Sequence, residues 1–403
     1  MTPTPDAETG HILVVDDNEM NRDMLARRLL RQGHTVELAV NGRLALELLT
    51  TREFDLVLLD LMMPEMNGYE LLEHMRTDEV LRHLPVILVS ALDDPESVVR
   101  GIEMGADDHL PKPFNPHILR ARVGACLAKK RLHDREQIHA KSLERELDIA
   151  REIQAGFLPE ELPAAPGWEF AARFHPARRV GGDFYDAFAL DGARKLGIVV
   201  ADVCDKGVGA ALFMALFRSL VRALAERTLV GRAEEGEDVR ELVGGVNDYI
   251  ALTHGRANMF ATLFFGLLDP ATGEMVYVNG GHEAPVVIGP AGVRARLAPT
   301  GPAVGMLPRM EFRTARETLA PGETLIVFTD GVSDARDARG ELFSEERLLS
   351  VLGRPAAGAS GTLDRIEAAV GAHCAAADPF DDVTLLALRR EPGPEARGAG
   401  PSP

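Results

Sequence analysis

Short apolar runs alternate with amphipathic stretches over about the first 120 residues. The runs at residues 12–15, 54–59 and 84–89 are nearly unbroken, which is typical of parallel strands buried on both faces. Residues 35–39 fill the place of another strand, and turn residues precede the helical stretches between the runs. The pattern predicts an α/β domain built on a doubly wound, five-strand parallel sheet.

Two proline-containing turns mark helix starts in this region. Asp94-Pro95 precedes an amphipathic stretch at residues 98–104, and Asn115-Pro116 begins a second helix. Proline in a first helical turn gives up no hydrogen bond, so both positions favour helices.

The second helix is predicted to continue from His117 to about Phe157, because no proline interrupts this segment. Near its end, 4-3-4-3 spacing relates Leu143, Leu147, Ala150, Gln154 and Phe157. Such spacing is typical of a coiled-coil seam and favours a homodimer. Upstream the seam falls on Glu136 and His133, so a helix that packs on its own domain is the alternative.

From Trp168 onward, alternating strands are joined by turn residues, as in antiparallel sheets. Predicted strands include residues 196–200, 260–268, 275–278, 325–328 and 383–388. Predicted helices are residues 209–227, 238–253 and 362–374. This is an α+β domain in which strands outnumber helices.

These patterns divide the chain into four parts. We expect a first domain at residues 10–129, a helical or coiled-coil linker at 130–158 and a second domain at 159–390. Residues 391–403 are rich in glycine and proline and are expected to be a disordered tail.

Composition narrows the class of protein. With 46% hydrophobic and 26% charged residues, the 403-residue chain can bury two cores. Its formal charge of −18 argues against nucleic-acid binding. The three distant cysteines favour a reducing compartment, and no segment was expected to reach the roughly 20 apolar residues that cross a bilayer. We therefore expect a cytoplasmic protein with no membrane association.

Polar side chains stand at the ends of the predicted parallel strands. Asp16 and Asp17 follow the first strand, Asp60 ends the third, Ser90 ends the fourth and Lys112 follows the fifth. Each alone is more often a helix cap or a surface residue. Because the carboxyl ends of parallel strands meet at one edge, all five are expected in one crevice, where the carboxylates suit Mg²⁺.

With these residues, the segment at 10–129 closely resembles the CheY-like receiver domain of two-component response regulators. The resemblance implies that Asp60 accepts a phosphoryl group from a sensor histidine kinase. It also implies that Asp16, Asp17 and the carbonyl of Met62 help Asp60 to hold Mg²⁺.

The same resemblance assigns the residues that respond to phosphorylation. Ser90 and Lys112 would contact the phosphoryl oxygens. His109 stands where the family usually has an aromatic switch residue. Since an imidazole can ionise, this chain departs from the family's usual inward-rotating switch.

The second domain contains dispersed aspartates in short polar motifs. Asp183 lies in GGDFYD, Asp202 in ADVCDKG, Asp330 in TDG, and Asp381 and Asp382 in FDDVT. Any single Asp-Gly pair is more often an ordinary turn. Together at one sheet end the carboxylates would repel one another strongly without cations, whereas two hard divalent ions would make them a hydrolytic centre.

The order of these motifs resembles the metal-dependent protein phosphatases (the PPM family), specifically the bacterial SpoIIE/RsbU-type branch. Supporting segments are residues 208–216, 259–269, 279–282 and 299–305. The resemblance implies two packed antiparallel sheets flanked by helices, and a serine/threonine phosphatase holding two Mn²⁺ or Mg²⁺ ions.

The resemblance also assigns the metal ligands. Asp202 would bridge both metals, and the carbonyl of Val203 would help to hold one. Asp330 and Asp381 would bind the other, with Asp183 completing the cluster directly or through water. Every acidic ligand is present, whereas no arginine matches the phosphate-holding one of eukaryotic relatives.

Three further residues have two interpretations each. Asp382 and Asp186 could assist the metal cluster or cap a helix or turn. His282, in a Gly-Gly-His turn, could protonate the leaving group or simply hold the turn, and the structural role is favoured.

Competing functions remain open at this point. GGDF is similar to a diguanylate cyclase motif, but the three later aspartate motifs would then go unexplained. A pseudo-phosphatase adaptor that only binds a partner is the non-enzyme alternative. By resemblance to the family, the substrate is a phosphorylated STAS-type anti-sigma-factor antagonist in a partner-switching system.

Overall fold

The computed structural model describes residues 9–91, 95–231, 235–353, 358–375 and 380–392. Contacts divide the chain into two compact units, Met1–Leu143 and Glu144–Pro403. Asp94, expected before a helix, lies outside the described residues, as does the expected tail from residue 393 onward.

The first unit contains a five-stranded sheet of order β2-β1-β3-β4-β5. The strands are β1 (His11–Val15), β2 (Thr35–Ala39), β3 (Leu56–Asp60), β4 (Val86–Ala91) and β5 (Asp108–Lys112). All neighbouring strands are parallel, and residues 12–15 and 56–59 are fully buried. The predicted doubly wound parallel sheet is confirmed.

Five helices connect and flank these strands: α1 (Glu19–Arg31), α2 (Gly42–Thr51), α3 (Gly68–Thr77), α4 (Pro95–Glu103) and α5 (Pro116–Ala155), with a 3-10 turn at Leu81–His83. Asparagine side chains begin the first three. Asn18 and Asn41 accept hydrogen bonds from first-turn amides, and Asn67 forms a capping box with Glu70.

Helix α5 is a single 40-residue helix, as its lack of proline predicted. Its first part contributes Leu119 and Val123 to the core of the first unit. At its other end, Gln154 is buried and exchanges hydrogen bonds with backbone groups of Gly181, while Phe157 packs on the core of the second unit. Gln154 and Phe157 therefore pack within the second unit and do not lie on an exposed seam. Leu143, at the start of the predicted seam, is exposed.

The second unit contains two five-stranded sheets, of order β13-β10-β9-β8-β7 and β12-β11-β14-β15-β6. The strands are β6 (Trp168–His175), β7 (Phe184–Leu190), β8 (Lys195–Val203), β9 (Ala261–Leu268), β10 (Glu274–Gly280), β11 (Val286–Gly289), β12 (Gly292–Arg296), β13 (Ala315–Thr318), β14 (Thr324–Phe328) and β15 (Val383–Arg390). All the paired strands are antiparallel.

Five helices belong to this unit: α6 (Val208–Leu229), α7 (Glu235–His254), α8 (Asp330–Ser333), α9 (Ser344–Leu352) and α10 (Gly358–Cys374), with a 3-10 turn at Gly255–Ala257. Residues from both sheets, such as Ile198, Phe264, Val327 and Leu386, share one core between the sheets. Helices α6 and α7 cover the first sheet, and α9 and α10 cover the second. The prediction of two packed antiparallel sheets flanked by helices is confirmed.

Helix α6 corrects one expectation. By length and composition Val208–Leu229 is apolar enough to cross a membrane, although no such segment was expected. In this fold Met214, Phe217 and Val221 of the helix are buried in the core of the second unit.

Candidate functional sites

Three carboxylates converge at the carboxyl edge of the parallel sheet. Asp16 and Asp17 follow β1 and Asp60 ends β3, and one ligand oxygen from each lies within 4.8 Å of the others. Lys112, at the end of β5, places its Nζ 3.0 Å from Asp60 Oδ2 and 3.2 Å from Asp16 Oδ2. Four of the predicted residues therefore meet in one crevice.

Local hydrogen bonds fix the orientation of two of these carboxylates. Asp16 accepts from the Asn18 amide at 2.9 Å and from the Asn21 side chain at 3.1 Å. Asp60 Oδ1 accepts from the Leu61 amide at 2.9 Å. A Cβ at Gly68 would lie 2.3 Å from the Asp60 carbonyl oxygen, so the start of α3 can pack against this strand only with glycine.

The crevice holds more negative charge than Lys112 offsets. Burial raises the pKa of Asp60 in spite of the opposing hydrogen bond from Lys112. Burial lowers the pKa of Lys112, but the bond to Asp60 and the charge of Asp16 outweigh it, and the net pKa is raised. A compact set of hard oxygen donors with unbalanced charge fits a divalent cation.

The remaining predicted residues of the first unit lie around this crevice. Ser90 is buried in β4, and its Oγ has no hydrogen-bond partner among the described residues. His109 in β5 is partly exposed, with Nδ1 3.9 Å from Asp108 Oδ1. Met62, in the loop after β3, has an exposed side chain. A buried hydroxyl without a partner can donate to an incoming phosphoryl oxygen.

The second unit brings its dispersed aspartates to the strand ends of both sheets. Asp183 precedes β7, Asp202 lies near the end of β8, Asp330 begins α8 directly after β14, and Asp381 precedes β15. Asp183 and Asp202 are within hydrogen-bonding distance of each other. The four predicted acidic ligands thus come from four different strands.

Asp183 is held in place by two threonines. It is buried, and its Oδ2 accepts hydrogen bonds of 2.7 Å from the hydroxyls of Thr329 and Thr384. Next to it, a Cβ at Gly182 would lie 2.7 Å from the carbonyl oxygen of Val203. Glycine at this position therefore allows the backbone before β7 to approach the Val203 carbonyl.

The electrostatics of this cluster show a shortage of positive charge. Burial, with the charges of Asp202 and Asp382, raises the pKa of Asp183 well above its usual range. Burial and the charge of Asp330 raise the pKa of Asp202 to about 7. Burial and the charge of Asp381 raise the pKa of Asp330. Such a cluster is stable in its ionised form only with bound cations.

The spacing of these carboxylates differs from that of the first crevice. Within the described part of the chain, no three metal-ligating side chains of the second unit bring ligand atoms within 4.8 Å of one another. The first crevice therefore holds the more compact set of ligand atoms.

Lys206 is a residue that sequence reasoning did not select. Its Nζ lies 2.8 Å from Asp381 Oδ2 and donates to the Phe380 carbonyl at 2.7 Å. It is carried by a loop in which Asp205 has φ +74° and Gly207 has φ +88°. Its place in the ADVCDKG motif was the available signal, but only the fold brings it to Asp381, 175 residues further along the chain.

Asp382 and Asp186 each have hydrogen-bond or ion-pair partners outside the four predicted acidic ligands. The Asp382 carboxylate accepts from the amides of Ala177 at 2.8 Å and Gly182 at 2.7 Å, so it ties down the loop before β7. Asp186 is buried and forms ion pairs with Arg218 at 3.0 Å and Arg222 at 2.8 Å. Both carboxylates are committed to structural contacts.

His282 is buried beside β9. Its Nδ1 lies 2.9 Å from the Thr262 hydroxyl, and its amide donates to Asn279 Oδ1 at 2.8 Å. Burial lowers its pKa to about 3. A neutral imidazole at neutral pH cannot supply a proton efficiently to a leaving group, so the geometry favours the structural role.

Comparison with known proteins agrees with this geometry. A family model described as stage II sporulation protein E (SpoIIE) matches residues 192–391. A second, described as the response regulator receiver domain, matches residues 12–124.

Two curated relatives each match part of the chain. Protein IcfG of Synechocystis sp. is 43% identical over 263 residues, which are 61% of this chain and 41% of IcfG. Response regulator MprA of Mycobacterium ulcerans is 38% identical over 149 residues, which are 36% of this chain and 63% of MprA. The chain thus spans less than two thirds of the length of either relative.

Among solved structures, the SiaA-PP2C domain of Pseudomonas aeruginosa superimposes with a TM-score of 0.54 at 21% identity. The match covers 62% of this chain and 98% of that domain, and at this identity it shows the fold alone. From these family matches and the two folds, the chain carries a response regulator receiver domain at residues 12–124 and a SpoIIE-type phosphatase domain at residues 192–391.

Proposed function

We propose that the second unit is a metal-dependent phosphatase that hydrolyses phosphoserine or phosphothreonine in a protein, and that phosphorylation of Asp60 regulates it. The observation that carries this proposal is the contact between buried Asp183 and half-buried Asp202, with Asp330 and Asp381 at the neighbouring strand ends. Burial, together with the charges of neighbouring carboxylates, raises the pKa values of Asp183, Asp202 and Asp330. A protein that folds around such a cluster is built to bind cations there.

Each carboxylate has a position that suits a particular role. Asp202 interacts with both Asp183 and Asp330, so it would bridge two ions, with the Val203 carbonyl beside it. Asp330 and Asp381 would hold the second ion. Thr329 and Thr384 both donate to Oδ2 of Asp183. Its Oδ1 would then bind a metal ion, either directly or through a water molecule. Two Mn²⁺ or Mg²⁺ ions would supply the acidity that activates water and the charge that a phosphoryl group requires.

The receiver domain would accept its phosphoryl group at Asp60. Asp16, Asp17 and the Met62 carbonyl would hold Mg²⁺ with Asp60. Lys112 Nζ and the Ser90 hydroxyl, which has no hydrogen-bond partner among the described residues, would donate hydrogen bonds to the phosphoryl oxygens. The donor would be a sensor histidine kinase, which is the usual partner of this domain family.

The continuous helix α5 supports coupling within the chain. It begins after β5, which carries Lys112, and it ends in the second unit, where Gln154 is bonded to the segment that precedes Asp183. A continuous helix can transmit a rotation that a flexible linker would dissipate. We propose activation by phosphorylation in a cytoplasmic homodimer. The substrate would be a STAS-type anti-sigma-factor antagonist. This part of the proposal rests on the resemblance to the SpoIIE/RsbU-type branch.

The test is phosphate release from phosphoserine peptides by the full chain in Mn²⁺. Asp202→Asn removes a charge that two cations would share, so we expect the rate to fall by about a hundredfold or more. Asp191→Asn, at the turn between β7 and β8, is the matched control, because asparagine tolerates its positive φ of 51°. Equal rates for Asp202→Asn and the wild type at saturating Mn²⁺ would overturn the assignment and favour a binding adaptor.

A further inference from the structure

A cavity of about 300 Å³ lies in the second unit between α8, α10 and β15. Its apolar lining comes from Ala335, Ile366, Val370, Val383 and Leu385. This volume is at the lower limit of small-molecule sites, roughly 300–1,000 Å³. The cavity therefore has room for one or two apolar side chains.

The cavity adjoins the carboxylate cluster. Asp381 and Gly331 both line it, and Gly331 directly follows Asp330. A Cβ at Gly331 would lie 1.9 Å from the Asp382 carbonyl oxygen, so the wall between cavity and cluster is only a backbone thick. A ligand group in the cavity lies beside the residues that would hold the second metal ion.

Two cations lie against the ring of Phe380, which lines the cavity. The Arg336 guanidinium is 3.9 Å from the centroid of the Phe380 ring, and Lys206 Nζ is 4.6 Å from the same centroid. Phe380 is 45% exposed and precedes Asp381 in the chain. Arg336 is exposed and forms no ion pair with any described carboxylate, so stacking on the ring positions its charge without neutralising it.

An apolar cavity with the Arg336 guanidinium beside it suits a ligand that carries an apolar group next to an anion. Arginine presents a planar fork that binds phosphate through two parallel hydrogen bonds. Successive residues of an extended peptide are only about 3.5 Å apart. A phosphorylated residue at the cluster would therefore place a neighbouring side chain over the cavity.

We propose that the cavity binds an apolar side chain within two residues of the phosphorylated serine or threonine of the substrate, while Arg336 binds the phosphate itself. This inference rests on the proposed phosphatase function and adds to it a sequence preference and a phosphate-binding residue. Arg336 would thus take the role of the phosphate-holding arginine, for which the resemblance to the family gave no candidate in this sequence.

Gly371 offers a way to fill the cavity without a clash. It lines the cavity, and a Cβ added there meets no atom within 4 Å. Gly371→Leu would occupy the space that the apolar side chain of the substrate needs. Ala372→Leu, at the next, exposed position of α10, adds the same bulk outside the cavity.

The first experiment measures phosphate release from a positional-scanning library of phosphoserine heptapeptides, with the full chain and Mn²⁺. We expect about a tenfold preference for leucine, isoleucine, valine or methionine at one position within two residues of phosphoserine. Gly371→Leu should abolish the preference and Ala372→Leu should retain it. An unchanged preference in Gly371→Leu, or none in the wild type, would overturn the role of the cavity.

The second experiment tests Arg336 with the peptide that the library selects and with p-nitrophenyl phosphate. Arg336→Gln should raise KM about tenfold for both, because both carry the phosphate, with kcat changed less than about threefold. Arg339→Gln, an exposed arginine three residues away, is the control. A KM in Arg336→Gln equal to that of the wild type for both compounds would exclude Arg336 as the phosphate anchor.

A binding array separates this inference from the proposed function. Phosphoserine peptides are spotted with and without an apolar neighbour, and retention of the full chain is measured in Mg²⁺. Selective retention that Gly371→Leu abolishes supports the cavity even if no peptide is hydrolysed, in which case only the phosphatase assignment fails. Hydrolysis without any selectivity supports the phosphatase and overturns the cavity proposal.

Discussion

The two acidic centres of this chain differ in how far lysine side chains offset the negative charge of their carboxylates. In the receiver crevice, three carboxylates are compact, and Lys112 lies 3.0 and 3.2 Å from two of them. In the second unit, Lys206 pairs with Asp381 at 2.8 Å, and its charge also acts on Asp330. Among the described residues, no lysine or arginine forms an ion pair with Asp183 or Asp202, which are within hydrogen-bonding distance of each other.

This difference fits the chemistry proposed for each centre. In the receiver crevice, Lys112 offsets part of the carboxylate charge, and under the proposal one ion and one phosphoryl group would be bound beside it. In the second centre, Lys206 pairs with Asp381, whereas burial and the charge of Asp330 raise the pKa of Asp202 to about 7. This centre would depend on added metal for the ionised state that hydrolysis needs.

The largest effect is expected when phosphoryl labelling is compared between a variant of the first centre and a variant of the second. Asp60→Asn removes the only carboxylate that the proposal treats as a phosphoryl acceptor, so labelling by radioactive acetyl phosphate should disappear. Asp202→Asn, in the other unit, should be labelled like the wild type. Labelling that survives in Asp60→Asn would show that a different residue accepts the phosphoryl group.

The stability of the metal-free second unit should depend on pH through Asp202. Its pKa is about 7 in the folded chain against an ordinary value of 3.8, so between these values the folded state holds a proton that the unfolded state has lost. The free energy of unfolding should therefore fall as pH rises from about 4 to about 7, by at most about 4 kcal/mol.

Urea unfolding in EDTA at a series of pH values measures this dependence. Mn²⁺ should reverse the trend, because cations bind the ionised carboxylates and stabilise the folded state more as pH rises. Asp202→Asn should reduce the slope in EDTA and leave the part that comes from Asp183 and Asp330, whose pKa values are also raised. The same slope in the variant as in the wild type would place the titrating group elsewhere.

A smaller effect is expected from His282→Gln. The loss of the contact with Thr262 in a buried site should lower the free energy of unfolding by about 1–3 kcal/mol. The alkaline limb of the pH–rate profile should stay in place, because the imidazole, with a pKa of about 3, is neutral throughout. Loss of a limb near pH 7 in the variant would instead identify His282 as the proton donor.

The sequence was informative where chemistry coincides with a strand end. Asp60 and Asp202 could be found because they end apolar runs, and the fold brings each to its centre as expected. Asp381 and Asp382 could not be told apart, because their roles depend on distant partners: Lys206 for one, and the Ala177 and Gly182 amides for the other.

Long-range contacts also explain the other differences. Gln154 matches a coiled-coil period, but its hydrogen bonds to Gly181 bury it within the second unit. Arg336 had no local signal, since its position depends on the ring of Phe380, 44 residues further along the chain. Local pattern therefore predicts elements and strand-end ligands, and packing decides which polar residues face them.

The central claim is that the state of Asp60 controls the phosphatase centre. The most direct measurement compares Mn²⁺-dependent phosphate release from a phosphoserine peptide by the full chain with and without beryllofluoride, which mimics the phosphorylated aspartate. We predict a severalfold higher rate with beryllofluoride, and no response in Asp60→Asn. Equal rates in the wild type under both conditions, with full Mn²⁺-dependent activity, would contradict the account.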